Sequence, residues 1–395
     1  MKRILFVDEA EGFGGSLVVA GTLIDGLKEA GYSAVVIVPF RDRFIQSRLR
    51  SAERVFIRRS LCPYTRAKAL RAKAGKLKSA PLRALADLFI SAFDSVSSAL
   101  HAVSIALTVL RSGASIVHSN NSSEAIVAGL LTRRPVVFHL HGFGRQRLGL
   151  LRRCRVVAVS RCVREYATDK GLSESSVEMI YNGVSVTDKS GGSTMSGGFI
   201  RSQLNVPDSA PLVGLVGRVV RWKGHEEFVE AAYLVSKECP DAHFVFVGDV
   251  SDGDSAYLDT LMSRVRELGL ENRLRCTGFV NDVESYVREL SVLVHASIEP
   301  EPFGLVIVEG MAIGKPVIAS NRGAGPEIIV DGVNGYLVDP CDHEQLAKRI
   351  VALLQDATLA SRVGERARQY VEERFSAQEM TRKFIHLYRS VDGAR

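Results

Sequence analysis

Residues 291–320 read SVLVHASIEPEPFGLVIVEGMAIGKPVIAS. Residues 291–297 form a short β-branched run, 305–313 carry an apolar helical pattern closed by Gly314, and 316–320 form a second apolar run. The segment therefore predicts strand, helix, strand, with the crossover that a parallel sheet requires. The helix start then stands at the carboxyl end of a strand, where open α/β sheets bind ligands. Free backbone N–H groups near Gly304 and Leu305 can receive a phosphate there. Glu309 lies one turn in, and because helical side chains lean toward the N-terminus its carboxylate can reach the same ligand as Glu301. Two carboxylates aimed at a phosphate would repel it, whereas both accept hydrogen bonds from hydroxyls, and a ribose and a sugar each offer a diol. The pattern suits a nucleotide sugar.

The same alternation runs outward through the chain. Strands are predicted at 3–8, 34–39, 115–120, 135–141, 155–160 and 177–181, and again at 212–218, 243–249, 273–279, 291–297, 316–320 and 336–338. Helical patterns separate them, and several end on glycine (Gly31, Gly171, Gly269) in the manner of left-handed C-caps. Two doubly wound α/β sheets follow. Residues 186–198, rich in Ser, Gly and Thr, cannot bury apolar area and read as a linker. The expected domains are 1–190 and 201–376, with the linker at 191–200. A length of 395 residues agrees with two domains.

Composition excludes several classes. With 46% hydrophobic and 24% charged residues the chain is neither disordered nor fibrous. Its six cysteines are scattered without the spacing of a zinc site or disulfide framework, so reduced thiols are expected. The first apolar run stops after four residues at Asp8, which marks a strand and not a signal peptide. Residues 1–195 carry a balance of +14 and residues 196–395 one of −7. Most of the excess lies in 41–83, where fourteen basic residues face only Asp42 and Glu53. Few aromatics interleave them (Phe44, Phe56, Tyr64), which disfavours nucleic acid. A solvated face, or attraction to anionic lipid or a lipid-diphosphate acceptor, remains. Residues 84–110 are mostly apolar, with Asp87, Ser91, Asp94, Ser98, His101, Ser104 and Thr108 recurring three or four apart. The two acids argue against insertion into a bilayer. An amphipathic helix, or helix pair, packed in the core or lying against a membrane surface is expected.

A second element lies at 212–224, LVGLVGRVVRWKG. A strand ends at Arg218, a turn follows, and Lys223 stands just before a helix starting near His225. Both cations occupy the carboxyl edge of the sheet that carries the glutamates, and together they could neutralise a diphosphate leaving group without a metal. Alone, such a pair is more often only a basic surface turn. His118 reads equally as a cleft residue or a satisfied core histidine, and His139 is expected on the opposite side of its strand from His141. Asp252, Gly253 and Asp254 mimic a metal-holding DxD but read as a plain turn. Gly12, Phe13, Gly14 and Gly15 do not make GxGxxG, since Leu17 takes the last position, which disfavours a dinucleotide enzyme.

Taken together, EPFG…EGM around Glu301 and Glu309, the GR…KG pair, and Asn182, Gly183 and Val184 resemble the retaining glycosyltransferases of family 4. So do Gly14 and Gly15 after the first strand, His141 in PVVFHLHG, and Gly325, Pro326 and Glu327 with Gly335. The resemblance implies the GT-B fold, two Rossmann-like domains facing a central cleft, with a last helix at about 377–391 returning to the first domain. It implies that Arg218 and Lys223 bind the diphosphate of a UDP or GDP sugar, Glu309 its ribose and Glu301 a donor-sugar hydroxyl. Gly15 would approach the phosphates and His141 the reacting sugar carbon. Val280, Phe303, Gly304 and Leu305 complete the implied donor contacts. The family is thought to react by front-face substitution, so no enzyme nucleophile, cofactor or metal is expected. The acceptor would be a saccharide or lipid-linked saccharide, and the location cytoplasmic, peripheral at the inner membrane face. Two other readings stay open: a nucleotide-sugar epimerase of the same fold, and a non-catalytic nucleotide-sugar-binding scaffold. Gly248, Asp249 and Val250 depart from the family, whose members often carry a second glycine there. Residues 41–110 match no family pattern.

Overall fold

The computed structural model describes residues 2–9, 14–40, 43–58, 64–75, 79–144, 148–186, 197–250 and 255–393. The chain divides into two compact units, one of Met1–Gly183 with Met380–Arg395, the other of Val184–Glu379. Most of the expected linker lies outside the described residues. Its last positions begin a helix, Gly197–Leu204, and the division falls earlier than expected, at Gly183 and Val184.

The first unit is built on seven parallel strands: β1 (Arg3–Asp8), β2 (Ser33–Val38), β3 (Arg54–Ile57), β4 (Ile116–Asn120), β5 (Val136–Leu140), β6 (Arg155–Ala158) and β7 (Val177–Met179). Their order is β3-β2-β1-β4-β5-β6-β7. The second unit has six: β8 (Leu212–Val216), β9 (His243–Val247), β10 (Leu274–Cys276), β11 (Val292–His295), β12 (Val317–Ser320) and β13 (Tyr336–Val338), in the order β10-β9-β8-β11-β12-β13. In each sheet the order reverses beside the first strand, between β1 and β4 and between β8 and β11. Ligands bind at such switch points in doubly wound folds. Central strands such as β4, β5, β8 and β11 are buried at every position, which is why they read as mostly apolar runs without a polar alternation.

One strand was not legible. β3, RVFI, is mostly exposed at the edge of its sheet, and its arginine-rich surroundings hide it within the basic segment. The glycines expected to cap helices do adopt left-handed backbone, with φ of 82° at Gly31, 93° at Gly171 and 69° at Gly269. The last helix is Ala377–Gly393, and from Met380 onward it belongs to the first unit.

The apolar stretch 84–110 lies in a single helix, Ala80–Ser112, entered through Pro81 and closed by Gly113 at φ 66°. It packs against the helices Tyr64–Gly75 and Ser123–Thr132. The expectation of a core helix holds for one face only. Ile90, Ala102, Ile105 and Val109 are buried together with Ser97, His101 and Thr108, whereas Leu82, Leu85, Phe89, Phe93, Val96, Leu100, Val103, Leu107 and Leu110 are exposed. The polar positions thus run from the exposed Asp87 and Ser91 into the interior at His101 and Thr108, and the apolar stripe faces outward.

Candidate functional site

In the second unit, β8 and β11 are direct neighbours, with Val213 opposite Val292 and Leu215 opposite Val294. The segments that follow them therefore leave the sheet side by side. After β8 comes Arg218, exposed, then a tight turn at Arg221–Lys223 and the helix His225–Glu238. Gly224 joins turn to helix at φ 75°, where a Cβ would lie 2.0 Å from the Ala296 carbonyl oxygen, so only glycine lets the two segments approach this closely.

That approach brings together two of the residues singled out by sequence. Lys223 Nζ donates to Glu301 Oε2 at 2.5 Å, and each side chain is 14% exposed. His295 Nε2 lies 3.1 Å from the same oxygen. Because a carboxylate only accepts, Nε2 carries the hydrogen. Ser297 Oγ lies 3.2 Å from His295 Nε2 and donates to Glu301 Oε2 at 3.4 Å. Burial by itself would raise the Glu301 pKa, but the His295 hydrogen bond and the Lys223 charge outweigh it and hold the carboxyl well below its ordinary value. The Glu301 backbone is fixed as well: its carbonyl accepts from Ala324 N at 2.9 Å, beside a bridge to Gly323. At Gly323, φ is 64° and a Cβ would meet the Glu301 carbonyl oxygen at 2.3 Å.

The helix Leu305–Ala312 starts from Gly304, itself at φ 85°, without a side-chain cap or an acid in its first turn. Its opening N–H groups and the positive end of its dipole are thus available to an anion. Glu309 is half-buried one turn further on. Phe303 is 3% exposed, and its ring packs 6.1 Å from that of Phe375. A ligand at this helix start would meet the Phe303 backbone. Val280 is half-buried beyond the end of β10.

Gly15 and His141 belong to the first unit. Gly15 is exposed at the start of the helix Gly15–Glu29, just past β1. His141 follows β5, and its Nε2 lies 3.2 Å from Asn120 Oδ1. The Asn120 amide nitrogen donates to Asp8 Oδ2 at 3.0 Å and to the Ser16 carbonyl at 3.3 Å. These two acceptors fix the amide orientation, so Oδ1 faces the imidazole and His141 Nε2 carries the hydrogen. Burial pushes the His141 pKa down to about 3, which keeps the ring neutral.

His139 does not face away from His141. The two rings lie 4.0 Å apart, because side chains two residues apart on a strand share a face. His118 is a core residue, stacked on Phe6 at 4.6 Å and hydrogen-bonded through Nδ1 to Tyr388 Oη at 2.6 Å. Sequence reasoning missed His295, Ser297, Asn120 and Asp8. The available signal was polar residues at the carboxyl ends of otherwise apolar strands. Asn182 is buried. Asp252–Asp254 and residues 12–13 lie outside the described residues, among which no group of three or more His, Cys, Asp and Glu side chains is arranged to hold a metal. None of the five described cysteines is in a disulfide.

Comparison with known proteins bears on the family and the fold. Residues 13–188 match the model described as Glycosyltransferase Family 4, and residues 198–370 match that for Glycosyl transferases group 1. Over 48% of this chain and 53% of its own length, the Rhizobium meliloti lipopolysaccharide core biosynthesis glycosyltransferase LpsE is 32% identical. The lipopolysaccharide core biosynthesis mannosyltransferase LpcC of Rhizobium leguminosarum bv. viciae is 34% identical over 46% of this chain and 51% of its own. The chain thus spans about half the length of these curated relatives. Among solved structures, Anabaena HepE in complex with UDP superposes with a TM-score of 0.76 at 25% identity, covering 99% of this chain and 100% of that one. A glycosyltransferase from Rickettsia africae gives 0.80 at 23% identity, over 99% and 98%. Together the two models take up most of the chain, one over each Rossmann-like unit, and place it in glycosyltransferase family 4, with the GT-B fold that it shares along its whole length with solved structures.

Proposed function

We propose that the protein transfers a hexose from a UDP or GDP sugar to a saccharide or lipid-linked saccharide in glycan synthesis, with retention at the anomeric carbon. The observation that carries this reading is the Lys223–Glu301 pair at the switch point of β8 and β11. An ammonium has three hydrogens, so Lys223 can hold Glu301 and still face a phosphate oxygen. Arg218, exposed just past β8, supplies the second positive charge. Glu301, kept ionised by its neighbours, accepts from a donor-sugar hydroxyl, and Glu309 accepts from the ribose diol. The helix start at Gly304 and Leu305 adds N–H donors for the diphosphate. His141 and Gly15 are assigned to the donor through the family resemblance, with His141 neutral and its Nε2–H committed to Asn120. HepE, solved with UDP at 25% identity, supports a uridine or related nucleotide.

In the proposed reaction, the bond from the anomeric carbon to the phosphate oxygen breaks as the acceptor oxygen bonds to the same face of that carbon. The acceptor proton passes to the departing diphosphate. Arg218 and Lys223 stabilise the charge that develops there, with no metal required. The same proposal puts the enzyme in the cytoplasm, at the inner membrane face.

A panel of UDP and GDP hexoses, read by mass spectrometry for donor hydrolysis or transfer and by thermal unfolding for binding, tests the proposal. One or more donors should be consumed and should protect the fold. Arg218→Ala should weaken donor binding about ten- to a hundredfold, as expected for a lost charge-assisted hydrogen bond of about 1.5–3 kcal/mol, while leaving the melting temperature of the free protein unchanged. No response to any donor contradicts the proposal. Isomerised donor without acceptor would favour an epimerase instead.

A further inference from the structure

The helix Ala80–Ser112 presents an apolar stripe that no described residue of its own unit covers. Leu82, Leu85, Phe89, Phe93, Val96 and Leu100 are 39–73% exposed, and the stripe continues to Leu110 at steps of three or four residues. At 1.5 Å per residue it runs roughly 42 Å, far more than scattered surface hydrophobes produce. We infer that this face docks on an anionic lipid bilayer, with the helix lying in the plane of the interface. The inference deepens the proposed location of the enzyme at a membrane, and it rests on different residues from the donor site.

Charge selects the occupant. No lysine or arginine lies between Leu85 and Leu110, while Arg83 stands at one end of the stripe and Arg111 at the other. The packed helix Tyr64–Gly75 adds the exposed Lys73 and Arg71, the latter paired with Asp94 at 3.7 Å. These belong to a sequence segment, 41–83, with fourteen basic residues and two acids. A second copy of the chain docked on this face would bring two such segments together, and like charges would oppose it. Anionic headgroups attract the same basic rim and their acyl chains accept the apolar stripe.

The other face of the helix rules out a span. Length and hydropathy alone would allow one, but His101 is buried and hydrogen-bonded through Nε2 to Glu9 Oε1. Burial lowers the His101 pKa, and the Glu9 carboxylate more than compensates, so the net shift is upward. Ser97 and Thr108 are buried on that face too, with Ile105 and Val109 in the core. Crossing a bilayer would strip these groups from the unit. An in-plane helix keeps them in place.

Sedimentation of the full chain with phosphatidylglycerol vesicles, and in parallel with phosphatidylcholine vesicles, tests the inference. The wild type should pellet with the anionic vesicles and only weakly with the neutral ones. At 1 M salt, where the screening length is about 3 Å, part of the binding should persist because the stripe is apolar. The double variant Phe89→Glu, Leu100→Glu should lose at least about tenfold in vesicle affinity, with its melting temperature and UDP-sugar binding unchanged. That last readout separates failure here from failure of the donor-site reading. Wild-type protein that ignores both lipids, or a variant that binds as well as the wild type, overturns the inference. So does a concentration-dependent dimer that the variant abolishes without any vesicle binding, since the face would then cover a second copy.

Discussion

Neutral histidines behind His141 make the first unit sensitive to acid in a way its carboxylates do not. His118 and His139 are each 1% exposed. Burial, reinforced by the nearby His141, holds His118 down to about 3 and His139 well below 6.5. Below pH 6.5 the unfolded chain therefore binds more protons than the folded one, and stability is lost as the pH falls from 6.5 toward the folded values. The depressed carboxyl of Glu301 also loses stability in acid, but only below its ordinary value of about 4.5. Urea unfolding between pH 6.5 and 4.5 isolates the histidines. His139→Phe, which keeps a ring among its aromatic neighbours His118, His141 and Phe384, should reduce the slope of unfolding free energy against pH by up to about 1.4 kcal/mol per unit. An unchanged slope contradicts the assignment. Asn120→Ala should cost about 1–3 kcal/mol by removing hydrogen bonds to Asp8 and His141, and should lower kcat more than it raises KM, because the ring would be misoriented. Glu301, Lys223 and His141 were legible as residues. Their supports were not: the β4–β5 register sets Asn120 opposite His139, from where it reaches His141, and no local pattern records that.

At the scale of elements, the turn between β8 and the helix His225–Glu238 carries the site. Gly224→Ala forces a left-handed backbone on a residue with a Cβ, at about 1–2 kcal/mol, and drives that Cβ into the Ala296 carbonyl. Gly269→Ala pays the backbone cost alone, since a Cβ there meets nothing within 4 Å. Denaturation should show Gly224→Ala to be the more destabilising by at least about 1 kcal/mol. Equal effects would mean that the β8 and β11 segments are not held together as described. Strands buried on both faces were readable as apolar runs, and helix ends as glycines. The edge strand β3 was not, because its apolar run, residues 55–57, is only three residues long and lies among arginines. For Ala80–Ser112 the period of the helix was clear, but which side faces inward depends on the helices Tyr64–Gly75 and Ser123–Thr132 that flank it.

Over the whole molecule, the first six strands of each sheet share one order, with its reversal beside the first strand, and the first sheet adds β7 at its edge. The chain gives each sheet its own charge, since the basic excess lies in residues 1–195 and the acidic excess in residues 196–395. Motifs on both sheets carried the family resemblance because strand ends, unlike helix faces, are fixed by local sequence. Segment 41–110 carried none of the motifs behind the resemblance, although it lies within the residues 13–188 that the family model matches, and it is there that the exposed helix face and the basic rim occur. The central claim is that the segments following β8 and β11 form one donor site. Crystals soaked with an intact UDP or GDP hexose measure it most directly. The diphosphate should lie within about 3.2 Å of Arg218 and Lys223 nitrogens, with the ribose on Glu309 and a hexose hydroxyl on Glu301. Ligand density away from those strand ends, with the four side chains untouched, would contradict the account.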